Sequence, residues 1–257
     1  MELDMPGELA TRYKSGSQRT RVVSEAWGER NLYCSNCSSE RLQRLPTNTP
    51  ALDFKCPQCA ALFQLKSQRH RFASRINDAA YDKMREAILE RRTPNILALQ
   101  YDAARWAVEN LILVPSFAFS LSCLEKRKAL RSSAERAGWV GCNILLVNIP
   151  SDARIPVVVN GKPSNPALVR HQYNRLRPLE TLKIDARGWT LDVLNIVRSL
   201  GKAEFTLAEV YAEEAALGRL HPQNRFVRPK IRQQLQCLRD LGFIEFLGSG
   251  KYGIISP

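Results

Sequence analysis

No run of about eighteen apolar residues occurs in this 257-residue chain, so a membrane-spanning helix is not expected. The opening Met1-Glu2-Leu3-Asp4 is acidic and lacks the apolar core of a secretory leader, which predicts a cytoplasmic protein. A basic amphipathic helix with a broad aromatic face, the mark of proteins that lie on anionic lipid, is missing too. Acidic residues are scarce: 25 Asp and Glu stand against 38 Lys and Arg, a formal net charge of +13 with a pI near 9.7. A surplus of that sign points to a polyanion, and with the membrane signals absent the expected partner is nucleic acid. Hydrophobic residues make up 44% of the chain, too many for disorder. The length suits one large domain, or a domain with a smaller module.

Seven cysteines are present, four of them in two pairs, Cys34-Ser-Asn-Cys37 and Cys56-Pro-Gln-Cys59, separated by 18 residues. Each such knuckle presents two thiolates from one tight turn, and two knuckles at this spacing suit tetrahedral zinc. Four thiolates leave no open position for water, so the zinc is expected to be structural. Cys123, Cys142 and Cys237 are scattered and expected to be core thiols.

A second pattern is woven through the second knuckle. Asp53 lies just before it, and Leu62-Phe63-Gln64-Leu65-Lys66 just after it alternates like a strand, with Gln64 and Lys66 on one face. A carboxylate and an amide oxygen can hold a hard divalent cation, and a neighbouring lysine can orient water and offset phosphate charge. That layout suits phosphodiester hydrolysis. The zinc would hold the Asp53 segment against the Gln64–Lys66 strand.

The first 30 or so residues are expected to be helical. Glu25 and Glu29 lie there, as an acid beside the metal or simply as a solvated helix face. Asn77 or Asp78 is expected to cap a helix running to about Arg91. Strands are expected at residues 95–101, 111–115 and 155–159, the last turning at Asn160-Gly161, so that helices flank a central sheet. Two glycines bracket Trp139, in a turn that either buries the indole or presents it. Helical, basic residues from about 163 to 184 are expected to connect two domains.

The last 70 residues change character. Helices are expected at 189–200, from the Thr206…Glu209 capping box onward, and at 228–241, followed by a hairpin with the tip Gly248-Ser249-Gly250. Three helices and a glycine-tipped hairpin is the winged-helix order, in which the third helix enters the major groove and the wing follows the backbone. Around that helix stand Gln223, Asn224, Arg225, Arg228, Lys230, Arg232, Gln233 and Gln234, side chains able to read base edges or grip phosphate. Use of the module for protein contacts is the other reading, and the charge argues against it.

Taken together, the knuckle–aspartate–knuckle–Leu-Lys-Ser order, Ile76-Asn77-Asp78, Arg136-Ala137-Gly138-Trp139, Gly141-Cys142-Asn143-Ile144, Arg187-Gly188-Trp189-Thr190 and Lys230-Ile-Arg-Gln-Gln-Leu-Gln236 closely resemble the DpnI-like methyl-directed restriction endonucleases over the whole length. The resemblance implies an α/β (α+β) PD-(D/E)xK nuclease domain with an embedded four-cysteine zinc site at residues 1–182, and a winged-helix domain at 183–257. It implies magnesium-dependent cleavage of both strands of double-stranded DNA at GATC sites with N6-methylated adenine. Asp53, Gln64 and the Leu65 carbonyl would hold Mg2+ and Lys66 would be the active-site lysine. Cys34, Cys37, Cys56 and Cys59 would hold Zn2+, and Trp139 would line the methylated adenines. A monomer is expected in solution.

The family pattern is broken at two places. Gln64 stands where an acidic residue is usual, and Leu52 precedes Asp53 where proline is usual. Glutamine keeps an oxygen ligand and removes a charge, which leaves two readings: an active nuclease, or a methylated-DNA binder that cuts weakly or not at all.

Overall fold

The computed structural model describes residues 1–47, 49–72 and 74–255. A 3-10 turn over Gly7–Arg12 leads to helix α1 (Gly16–Asn31). The single leading helix expected from the sequence is therefore two pieces. Ser15 is extended, and Arg19 donates its side-chain Nε to the Tyr13 carbonyl, so the break is stitched by hydrogen bonds rather than by helix.

Strands β1 (Gln43–Arg44), β2 (Phe54–Lys55), β3 (Leu62–Gln68) and β4 (Arg75–Ala80) precede helix α2 (Tyr81–Leu89). Then come β5 (Asn95–Asp102), β6 (Ala107–Val114), β7 (Leu124–Lys126), β8 (Gly141–Leu145), β9 (Ile155–Val159) and β10 (Lys162–Pro163). Helices α3 (Pro166–Leu176) and α4 (Ile184–Ser199) lead to β11 (Glu204–Thr206). Helices α5 (Leu207–Ala212), α6 (Glu214–Leu220) and α7 (Val227–Asp240) are followed by β12 (Ile244–Gly248) and β13 (Lys251–Ile254).

Seven strands form the main sheet in the order β1-β2-β3-β5-β6-β9-β10. Only β3 and β5 run parallel; the other neighbours are antiparallel. β5 lies at the sheet centre and is buried along nearly its whole length, with Ile96 to Leu99 as its apolar run. Crossing from β3 to its parallel partner β5 takes the chain through β4 and α2, and β4 joins a smaller sheet, β4-β8-β7. Asn77 and Asp78 therefore do not cap a helix, contrary to the sequence expectation. They pair with Asn143 and Cys142 in the β4–β8 ladder, and the helix starts only at Tyr81.

Beyond α4, the third sheet has the order β11-β13-β12 and packs beside α5, α6 and α7. The Thr206–Glu209 capping box is present as expected. Helix α4 also reaches back to the rest of the chain. Buried Asp192 accepts from Ser122, and Arg198 forms a bidentate pair with Asp152, whose side chain is 5% exposed. Among the described residues no helix is long and apolar enough to cross a membrane.

Candidate active site and metal centre

The second cysteine knuckle is the turn of a hairpin. β2 and β3 pair antiparallel with Phe54 opposite Phe63 and Lys55 opposite Leu62, and Cys56 to Cys59 make the bend between them. Cys56 N–H donates to the Ala61 carbonyl, and Ala60 takes a left-handed conformation at φ 59° to close the turn. The first knuckle follows directly after α1. The Sγ atoms of Cys34, Cys37, Cys56 and Cys59 all lie within 4.8 Å of one another, with Cys34–Cys59 at 3.6 Å and Cys37–Cys56 at 3.5 Å. Thiolates at a zinc–sulfur distance of about 2.3 Å in a tetrahedron would stand about 3.8 Å apart, so the four fit such an ion.

The turn also prepares the Cys56 sulfur for the charge. Burial works against the Cys56 thiolate, but the Cys59 and Gln58 N–H groups point at its sulfur and bring the thiol down to about 6. From α3, Arg170 donates to the carbonyls of Cys34 and Ser39 and lies over the Tyr33 ring, which holds the first knuckle from outside. A metal at the four cysteines thus clips the end of α1 to the β2–β3 turn.

That clip sets the distance between α1 and the two strands. Trp27 and Phe54 are fully buried, and Gly28 lies against the Phe54 ring: a Cβ there would come to 2.7 Å of the ring's Cζ. Only glycine lets the helix approach this closely. Glu25, one turn back on α1, is consequently 7% exposed and close to Asp53. Burial pushes the Glu25 carboxyl up; Arg44 opposes this through an ion pair, and the Asp53 charge adds to the rise.

Asp53 sits at the mouth of the hairpin. Its N–H donates to the Phe63 carbonyl, and its Oδ2 accepts the Leu65 N–H at 2.7 Å. Burial raises its carboxyl, while the Leu65 N–H and the charges of Lys66, Arg21 and Arg44 pull the other way. Gln64 is 9% exposed. Glu25, Asp53, Gln64, Leu65 and Lys66 all line one cleft of about 1130 Å³, whose rim carries Arg19, Arg21, Arg69 and His70. The structure thus gathers Asp53, Gln64, Leu65 and Lys66 as the sequence pattern anticipated, and adds Glu25. Glu29 is exposed at the far end of α1 and outside this cleft.

Two partners were not legible in the sequence. Lys66 Nζ pairs with Asp78 Oδ1 at 2.5 Å, and the Asp78 side chain is 3% exposed. Arg44, on β1, pairs with Glu25. Both links join different strands or a strand and a helix over 12 and 19 positions, and no periodicity announces them.

Trp139 is half-buried and stands apart from the cleft, in the connection between β7 and β8. Its indole folds over Gly141, where a Cβ would come to 2.7 Å of the ring, so the turn both supports the indole and leaves part of it open. Along the connection Lys126, Lys128, Arg131 and Arg136 are exposed.

Around α7 the exposed residues are Gln223, Arg225, Arg228, Arg232 and Gln233, with Asn224 and Lys230 half-buried. Asn224 Oδ1 accepts the Phe226 N–H just ahead of the helix, and Lys230 bonds Gln233. Arg228 is paired with Glu214 and, like Arg232, stacks over Tyr211. Gln234 corrects one expectation. It is 2% exposed and accepts from the Thr190 hydroxyl on α4, so it faces the core and reads no base. Cys123 and Cys142 are buried, as expected of core thiols.

The sequence matches the family model of the Dam-replacing family, DpnI, over residues 1–182, and that of the Dam-replacing HTH domain over residues 185–253. A helix-turn-helix domain is a DNA-binding unit, in keeping with the charge of +13. The chain belongs to the Dam-replacing (DpnI) family.

Proposed function

We propose that this protein is a methylation-dependent type II restriction endonuclease. It hydrolyses both strands of double-stranded DNA at GATC sites carrying N6-methyladenine, in a magnesium-dependent reaction. The observation that carries the reading is the convergence of Asp53, Gln64 and Lys66, from two strands joined by the cysteine turn, on a single cleft with a basic rim. A PD-(D/E)xK catalytic unit of about residues 1–182 and a winged-helix unit of about 183–257 divide the work between cutting and gripping.

Asp53, the Gln64 amide oxygen and the Leu65 carbonyl would hold the magnesium, with Glu25 beside them. Magnesium bound there supplies a more acidic water and offsets phosphate charge. Asp53 is anchored by Oδ2 on the Leu65 N–H, which would leave Oδ1 to ligate the metal. Lys66 directs ammonium protons at the attacking water and the phosphate. Glu25 places a second carboxyl beside Asp53 where Gln64 lacks one, which favours an active nuclease over a binder. Cys34, Cys37, Cys56 and Cys59, holding zinc, keep α1 and the hairpin in register.

Trp139 contacts the methylated adenines. Burying one methyl stabilises by about 0.8 kcal/mol, whereas a thousandfold preference needs about 4 kcal/mol. One methyl contact is therefore too little. Reading both methyls of the palindrome, and reading the site again with the winged helix through Asn224, Arg225, Arg228, Lys230, Arg232 and Gln233, multiplies the preference.

The test is incubation with magnesium and plasmid from adenine-methylating and non-methylating hosts. Cutting confined to the methylated plasmid is expected. Equal cutting of both would overturn the methyl-directed reading. Cutting of neither, with retained binding to the methylated plasmid, would make this a methylated-DNA binder, the reading that Gln64 favours.

A further inference from the structure

We propose that Asp78 is the positioning residue for Lys66, and that it ties this lysine to the strand pair carrying the Trp139 connection. The inference rests on the nuclease reading above. Asp78 does not itself line the cleft, although its β4 neighbours Ile76 and Asn77 do; it reaches Lys66 out of the smaller sheet. Its side chain is 3% exposed against 20% for Lys66, so the carboxylate is the fixed member and the ammonium the group it holds. One ammonium proton is directed at Asp78 Oδ1, and two remain to point into the cleft.

The same carboxylate belongs to β4, whose register places Asp78 opposite Cys142 and, across a bulge, Ala80 opposite Gly141. Cys142 Sγ also donates to the Ala79 carbonyl. Gly141 is the residue on which the Trp139 indole rests. A continuous chain of contacts therefore runs from the indole through Gly141 and the β4–β8 ladder to Asp78 and the lysine. A base pressing on the indole bears on the strand pair that sets the ammonium, so base recognition and the lysine share one support.

A merely structural ion pair and a positioning one differ in what they change. The measurement is single-turnover cleavage of saturating methylated duplex with magnesium, beside duplex affinity, zinc content and melting temperature. Asp78→Asn is expected to lower the rate tenfold to a hundredfold, on the order seen when the supporting partner of an active group is removed. Its duplex affinity and zinc content should match the wild type. Asp78→Glu, which keeps the charge and displaces it by one methylene, is expected to lose less, and stands in if the asparagine variant does not fold. Asp78→Asn combined with Trp139→Ala should lose less than the product of the single losses, because the two act along one route.

A wild-type rate for Asp78→Asn, or a loss confined to affinity, overturns the positioning role. A double variant that loses the full product overturns the tie to Trp139. A wild type that cuts no methylated DNA removes the nuclease reading itself, and with it any rate for Asp78 to serve. The pairing is then still decided by heat. Lys66→Ala should lower the melting temperature by leaving a buried carboxylate alone, and adding Asp78→Asn should restore it. Failure to restore it overturns the pairing as well.

Discussion

The cleft and the C-terminal helical region both carry charge, but they hold it differently. In the cleft, charged groups are buried or half-buried and committed to partners within the protein: Lys66 to Asp78, Glu25 to Arg44, and Asp53 to a backbone N–H. Around α7 the cations stand in solvent, held by surface pairs or by stacking on Tyr211. Buried charges cost free energy unless paired, so the cleft is built to fixed geometry and every member depends on the others. Solvent-exposed charges are individually cheap and exchange water for phosphate readily. Substitutions in the cleft should therefore act all-or-none on chemistry, and those around α7 should act by degrees on affinity.

The largest effect is expected where the cleft is held together. Removing zinc with a chelator, or replacing Cys56 by serine, releases the turn that joins β2 to β3 and frees the end of α1. Structural zinc contributes apparent free energies on the order of 10 kcal/mol to small zinc-dependent domains. We expect one zinc per chain by elemental analysis, and loss of both the main melting transition and cleavage on its removal. Cleavage that survives complete zinc loss would show that the hairpin holds its shape alone, and the contrast with α7 would weaken.

Next in size is Lys66→Ala. Loss of one group that stabilises developing charge slows chemistry by about 10²–10³-fold. Binding to methylated duplex should change little, because the lysine is turned toward Asp78 and the cleft rather than out toward the basic rim. A matching loss of binding and cutting would place Lys66 in the grip instead of the chemistry.

Around α7 the effect should be graded. Arg225→Ala removes an exposed cation that has no ion pair with an acidic side chain among the described residues. Affinity should fall several-fold across methylated and unmethylated sequences alike, and the salt slope should flatten by about one if the contact is to phosphate. A loss confined to methylated sites would instead make Arg225 a base reader.

The same contrast explains what the sequence alone could reveal. The four cysteines were legible because knuckle spacing is a local pattern with a single geometric purpose. The Asp53, Gln64 and Lys66 set was legible because a hairpin keeps it within 14 positions. The capping box was legible for the same reason. Asp78 was misread because an Asn-Asp pair ahead of a helical pattern satisfies the rules for a helix cap, and only the distant partner Cys142 shows that the segment is a strand. Gln234 could have been assigned correctly: Ile231, Gln234, Leu235 and Leu238 follow the spacing of one buried helix face. Its polar side chain hid that, until the Thr190 hydroxyl supplied the partner a buried amide needs.

The smallest effect tests whether the C-terminal region is as loosely charged as its surface suggests. Glu209 is held well below the usual carboxylate range, to about 2, by Lys202 and then by the backbone N–H and hydroxyl of Thr206. Its folded value lies below the ordinary 4.5, so its contribution is present above that pH and is lost as pH falls toward 2. Glu209→Gln keeps a side chain that can complete the capping box and removes only the charge. Melting of the two proteins should therefore differ at neutral pH and converge between about pH 4 and pH 2. A difference that persists undiminished to pH 2 would mean that the glutamate acts through shape. Its charge would then contribute nothing to the stability of this region.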